Sequence, residues 1–293
     1  MNGGKEPSHR NIVGYFVHSV SGNCLLKGLT DVKSFNMKGE AHNADIISLS
    51  QERRQRQRRE VIDEIKAIAR QQLAVDGPAS LSLSRIARAM GWTTPALYRY
   101  FPNRDALITS LILDAFQALS KDTEEALIDV PEDDIETRYM AFVRAYRQWA
   151  LSHPQDYVLM HGSAYPGYKA PIGQMLEASM GSLQPFVGLL QHAQAVGRLQ
   201  IPRSYLEGAA SILHDIDPLE IKAIHSELPS YLVTLAYLVW LQIHGLVWEE
   251  ISGHLPSALL EDGRLYEIQA RATGQMYGLI PQHGSPFVTL PKS

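Results

Sequence analysis

The sequence predicts an all-α fold: an N-terminal three-helix helix-turn-helix domain followed by a larger helical domain. Three observations carry this prediction. Apolar residues recur at three- and four-residue steps from about residue 61 onward, the period of a helix that buries one face. Proline and glycine interrupt that pattern at Pro131, Pro154, Gly197, Pro202, Pro218, Pro229 and Pro256, which leaves segments of ordinary helical length. Two short helical segments flank Gly91, the spacing of a helix-turn-helix. No alternating strand pattern competes, and no repeat of fixed period is present.

The 293 residues, 45% of them apolar, provide enough chain to bury a sizeable core. The longest unbroken apolar run falls well short of the roughly 18–20 residues that a membrane span needs. The apolar stretch Ile12–Val20 is interrupted by Gly14, Tyr15, His18 and Ser19, so no signal peptide is expected. A lone cysteine, Cys24, excludes an internal disulfide framework and any multi-cysteine zinc site. A cytoplasmic protein without a membrane partner is the expectation.

Charge is unevenly placed. Residues 51–110 hold 11 basic and 6 acidic side chains, whereas residues 111–293 hold 11 basic and 21 acidic. A basic block on an acidic chain favours a polyanion at one end and repels it at the other, which orients an encounter. An ordinary solvated, charged helix gives the same block.

Residues 1–50 lack a sustained period and are read as a disordered extension, within which Met37 is a second candidate start of translation. The run 51–59 contains Arg53, Arg54, Arg56, Arg58 and Arg59. It is read either as an arm that follows DNA phosphates or enters the minor groove, or as a solvated tail or helix extension. An amphipathic helix over 58–76 follows, with Val61, Ile62, Ile65, Ile68, Ala69 and Leu73 on one side, and Gly77-Pro78 ends it. Ser82 caps a second helix that buries Leu83, Ile86, Ala87 and Met90. Thr93 caps a third over 94–101, with Leu97 and Phe101 inward. Further helices are predicted at 104–128, 135–152, 155–161, 172–196, 203–213, 219–226, 229–252 and 257–278. The domains are accordingly 51–107 and 108–280, with a tail over 281–293.

A helix-turn-helix lays its first helix across the backbone and puts the start of its second into the major groove. Small or polar groups at Thr94, Pro95 and Ala96 permit that approach. The hydroxyls of Tyr98 and Tyr100 suit phosphate, and Arg99 and Arg104 add charge.

The stretch SLSRIARAMGWTTPALYRYFPNRDAL resembles the N-terminal domain of the tetracycline-repressor (TetR) family of transcriptional regulators. Ile86-Ala87, Gly91, Pro95-Ala96-Leu97-Tyr98, Phe101, Arg104 and Leu107 carry the likeness, over about 50 residues. The resemblance implies a larger helical ligand-binding and dimerisation domain behind the helix-turn-helix. It also implies a homodimer on a pseudo-palindromic operator in double-stranded DNA and, most often, a repressor released by a small-molecule effector. It places Ser82 at a phosphate-contacting threonine position and Ser84 where some members carry a base-reading arginine, so a direct guanine contact from Ser84 is in doubt. Thr93, Thr94, Pro95, Ala96 and Arg99 open or line the recognition helix. Tyr98 and Tyr100 match backbone-touching positions, Tyr100 in place of the more frequent histidine, and Arg104 replaces the usual lysine.

Trp240, His244 and Gly245 form a Trp-x-x-x-His-Gly arrangement similar to one C-terminal type in the family. On that reading the helices near 229–252 and 257–278 form the dimer interface, and Gly245 permits close approach of another helix. Read from the residues alone, Trp240 and His244 are core. Aromatic and sulfur-bearing side chains gather between 139 and 190. Tyr146, Trp149, Tyr157, Met160, His161, Met180 and Phe186 are the candidate effector contacts, and the same side chains suit the core of a helical domain.

His214, Asp215, Asp217 and His225 lie close in sequence but lack the spacing of a metal site, so no metal and no cofactor is expected. Neither a Gly-x-Gly-x-x-Gly loop, a Walker loop nor a Gly-x-Ser-x-Gly elbow occurs, and an enzyme is not expected. The competing reading is an all-helical binding or scaffold protein that keeps the helix-turn-helix as structure only.

Overall fold

The computed structural model describes residues 30–162, 167–214 and 230–282. The expected helix at 219–226, most of the candidate metal cluster, residues 1–29 and the tail from 283 lie outside the described residues. Every regular element among the described residues is helical. Two compact units divide the chain, 1–60 and 61–293. Within the second unit, the long helix after the helix-turn-helix contributes to two apolar cores.

Helix α1 spans Thr30–Asp76. It starts inside the segment 1–50 that the sequence reads as an extension. Helix-forming residues such as Met37, Lys38, Glu40, Ala41 and Ala44 occur there without an apolar stripe. A search for amphipathic periodicity finds only helices that bury a face. Residues 51–60 are exposed throughout, with Arg56 Nε 3.9 Å from Glu60 Oε1.

The second unit begins on the amphipathic part of α1. Ile65, Ala69 and Leu73 pack with Ile86 of α2 (Leu83–Ala89), Leu97 of α3 (Thr94–Tyr98) and Leu107 and Leu111 of α4 (Arg104–Glu125). Leu159 of α6 (Pro154–His161) closes this cluster. Lys66 Nζ lies 2.8 Å from Asp114, and Arg70 reaches both Asp114 at 3.5 Å and Asp156 at 3.2 Å. These ion pairs tie α1 to α4 and α6. The C-terminal half of α4 enters a second, larger core through Ala115 and Leu119, together with α5 (Ile135–Ser152) and α7 (Ile172–Ala195).

Pro185 sits inside α7 and cannot donate to the carbonyl of Gly181. Ser120 Oγ of α4 donates to that carbonyl at 3.4 Å, so the helix continues with its lost bond replaced across the α4–α7 contact. Helix α8 (Arg203–His214) follows, then α9 (Ser230–Ser252), whose Leu232, Leu235, Ala236, Val239, Ile243 and Val247 are buried.

By length and composition alone, Tyr231–Ser252 is apolar enough to cross a membrane, and 33% of its most apolar window is buried in the chain. A count of unbroken apolar residues misses this, because Gln242 and His244 interrupt the run without lowering its mean hydropathy far.

The helix expected over 257–278 is corrected to three pieces: α10 (Ser257–Leu260), a 3-10 turn (Glu261–Gly263) and α11 (Arg264–Met276). Asp262 at φ 55 and Gly263 at φ 68 adopt the left-handed conformation, which an Asp-Gly pair tolerates best. Gly263 also lies so close to the Arg147 guanidinium that a Cβ would sit 2.8 Å from it. Tyr139 Oη donates to Ala270 O at 2.8 Å and Tyr266 Oη to Val143 O at 2.5 Å, which joins α5 to α11.

Candidate functional site

Helix α2 starts at Ser82, whose extended backbone frees its hydroxyl to accept from Arg85 N at 3.4 Å. The same oxygen lies 2.9 Å from Ser84 Oγ. Gln72 Oε1 accepts from Ser82 N at 3.2 Å, and Arg85 pairs with Asp76 at 2.8 Å. These contacts fasten the start of α2 to the end of α1. Gly91, at φ +70, then closes α2 in a Schellman turn: its N–H donates to Arg88 O and that of Trp92 to Ala87 O.

Thr93 caps α3 by its backbone geometry, and its side chain makes no capping bond. Helix α3 ends at Tyr98 rather than Phe101, because the chain tightens into an i to i+3 turn from Leu97 O to Tyr100 N. Leu97 and Phe101 hold it to the first core. Its outer side presents Pro95, Tyr98 and Arg99 exposed, with Thr94 and Ala96 half-buried on its flanks. Trp92 packs against Tyr100 at 5.6 Å between ring centroids, a contact the sequence reading did not include. The Gly91-Trp92 step, which puts a large aromatic directly after the turn, was its signal. Asn103 caps α4 by accepting from Ala106 N at 2.8 Å, and half-buried Arg104 opens that helix. The structure thus gathers Ser82 and Ser84 at one helix start and Thr93 to Tyr100 at the next.

The candidate effector residues separate into three groups. Trp149, Met180 and Phe186 are core: Trp149 stacks on His153 at 5.1 Å and Phe186 on Phe142 at 5.2 Å. Tyr146 and Tyr157 belong to a buried polar chain with two residues of α9. Trp240 Nε1 donates to Tyr146 Oη at 3.0 Å, the two tyrosine hydroxyls are 3.1 Å apart, and Tyr157 Oη lies 2.6 Å from His244 Nδ1. Head-to-tail donation from indole to Tyr146, to Tyr157, to His244 Nδ1 accounts for these three contacts. Burial pushes both phenols well above their ordinary range, so each keeps its proton.

Met160 and His161 form the third group, at a cleft of about 520 Å³ between α4, α6 and α7. Its apolar wall includes Ile112, Phe116, Leu159, Met175 and Leu176. The His161 ring lies 4.4 Å from that of His244 and 4.7 Å from that of Tyr157, so the cleft adjoins the polar chain. Burial, and then His244, push His161 down to about 3. Burial pushes His244 down to about 4. Both imidazoles are neutral at neutral pH. Trp240 stacks on His244 at 4.6 Å, but Gly245 is exposed and a Cβ there meets nothing within 4 Å. Among the described residues no cluster of metal-ligating side chains occurs.

A capped, core-anchored helix-turn-helix with an outward recognition face, joined through α4 to a larger helical domain, defines a two-domain regulator of the helix-turn-helix class. Residues 65–111 match the family of bacterial regulatory proteins called the tetR family, and residues 139–273 match the tetracyclin repressor-like C-terminal domain. The HTH-type transcriptional regulator Rv1816 of Mycobacterium tuberculosis is 30% identical over 227 residues, 73% of this chain and 92% of the relative. The HTH-type transcriptional regulator Mb1846 of Mycobacterium bovis matches with the same identity and coverage. The crystal structure of SCO4313 superposes with a TM-score of 0.60 at 28% identity, over 75% of this chain and 97% of that one. The chain belongs to the TetR family of helix-turn-helix transcriptional regulators.

Proposed function

We propose that the protein is a cytoplasmic, non-enzymatic, effector-responsive regulator that binds a pseudo-palindromic operator as a homodimer and represses until a small molecule releases it. The observation that carries this reading is the outward face of α3, where Pro95, Tyr98 and Arg99 are exposed beside Thr94 and Ala96 on a helix fixed by Leu97. Thr94 and Ala96 meet base edges. Ser82, Tyr98, Tyr100 and Arg104 meet phosphates, Ser84 lies beside Ser82 at the start of α2, and Thr93 starts the helix that enters the groove.

The dimer reading is supported by apolar side chains that are exposed among the described residues. Leu241 of α9 is 53% exposed, and Ile268 and Met276 of α11 are 66% and 46% exposed. A second copy covers them in a bundle formed by α9, α10 and α11 with their symmetry mates. The two recognition helices are then held at a fixed spacing. An effector that binds better to another spacing lowers operator affinity by the same coupling free energy. Met160 and His161 at the cleft, with Tyr146 and Tyr157 behind them, are the effector end of that coupling. Trp149, Met180 and Phe186 support it as packing.

Arg99→Glu tests the reading. It reverses one exposed charge without touching the core. Retention of duplex DNA of mixed sequence is expected to fall at least about tenfold, the size of one lost charge-assisted contact, with helix content unchanged by circular dichroism. Undiminished retention contradicts a DNA-binding role for α3.

A further inference from the structure

We infer that the cleft between α4, α6 and α7 receives an uncharged, mainly apolar small molecule carrying one hydrogen-bonding group, and that His161 reads that group. The inference rests on the effector-responsive reading above and names the class of effector.

Among the described residues, the lining contains no Asp, Glu, Lys or Arg. Ile172 stands at the cleft with 74% of its surface exposed, an apolar side chain left facing solvent beside an apolar wall. Met160 and Met175 give that wall side chains that adapt to an occupant's outline. Two of the other polar side chains there are already engaged. The Tyr168 hydroxyl lies 2.9 Å from Thr109 Oγ1, and the Ser179 hydroxyl bonds Tyr237. His161 differs: its Nε2 is buried and has no hydrogen-bond partner among the described residues. Its flanks are occupied by the rings of Phe116, Tyr157, Trp240 and His244.

A neutral imidazole offers one donor and one acceptor, so it serves a hydroxyl, carbonyl or amide equally well. A carboxylate or an ammonium entering this cleft loses hydration and finds no countercharge among the described lining residues. The volume lies within the range of roughly 300–1,000 Å³ usual for small-molecule pockets.

The test uses the purified full-length chain and four probes on one skeleton: naphthalenemethanol, methylnaphthalene, naphthoate and naphthylmethylammonium. Calorimetric titration is expected to show the alcohol binding at least about tenfold more tightly than the other three. Met175→Trp fills the cleft and is expected to abolish alcohol binding. His161→Leu is expected to remove the preference for alcohol over hydrocarbon, and His161→Gln to keep it. Equal or tighter binding of naphthoate or the ammonium overturns the inference. So does alcohol binding that survives Met175→Trp, or no binding by any probe up to about 1 mM.

Operator affinity is measured in parallel. If the alcohol binds as expected but leaves DNA affinity unchanged, the ligand class stands and the effector role of the cleft fails. If naphthoate releases DNA and the alcohol does not, the effector role stands and the ligand class fails.

Discussion

Tyr98 and Thr94 share a short helix but are assigned opposite work. Tyr98 is 50% exposed and suited to phosphate, so its hydroxyl carries no base information. Tyr98→Phe is therefore expected to weaken binding to all duplexes alike, by about 1 kcal/mol, whereas substitutions at Thr94 or Ala96 change the preferred sequence. Competition binding against a panel of single-base operator variants separates the two. A Tyr98→Phe protein with altered base preference contradicts the assignment. The buried imidazoles make a second prediction at this scale. His161 and His244 are held down to about 3 and about 4, below the ordinary 6.5 of the unfolded chain. Their neutral forms fit the fold, so the unfolded state takes up protons first. Stability is complete above about pH 6.5, falls as pH drops below it, and levels off only once the folded values are passed. Urea unfolding between pH 7 and pH 5 is expected to show this loss, and His161→Phe to flatten it. An acid limb unchanged by that substitution counts against the buried neutral histidine as its source.

At the scale of the element, the arginine-rich run lies within α1, as in the helix-extension reading of the sequence. As a helix with side chains, it is about 10–12 Å across, too wide for a minor groove of about 6 Å. Of the two routes open to an extended arm, only the one along the phosphates suits a helix. Each arginine that neutralises a phosphate steepens the salt dependence by roughly 0.9. Deleting residues 1–57 removes Arg53, Arg54 and Arg56 from each chain. The slope of log affinity against log salt is expected to drop by about 2–5 units for a dimer, with the preferred sequence retained. An unchanged slope shows that this segment stays off the DNA.

The same helix shows what periodicity reveals. Elements with a buried stripe, such as α4 and α5, were legible because the apolar spacing reports burial directly. The N-terminal part of α1 gave no such report. The break at Asp262-Gly263 went unseen because two left-handed residues barely disturb a period read over a longer window. The helix-turn-helix residues were legible because they are contiguous in sequence. The Tyr146–Tyr157–His244 chain was not, since its hydrogen bonds join positions 87 and 98 residues apart. Met160 and His161 were named from composition alone, with nothing to show that Met180 and Phe186 lie in the core instead.

At the scale of the whole molecule, the account requires two chains. Replacing Leu241 and Ile268 by arginine puts charges on the apolar side chains that α9 and α11 leave uncovered. Light scattering at micromolar concentration is expected to give a dimer for the parent chain and a monomer for the double variant. A parent chain that is monomeric at that concentration contradicts this assembly. Operator affinity is expected to fall with dimerisation, since each monomer retains only one recognition helix.

Selection of bound duplexes from random DNA by the full-length protein bears most directly on the central claim, that α2 and α3 read a specific operator. The account predicts one enriched sequence with two inverted half-sites, whose inner preference shifts when Thr94 or Ala96 is replaced. Enrichment of no sequence, or of a sequence indifferent to both substitutions, would contradict it.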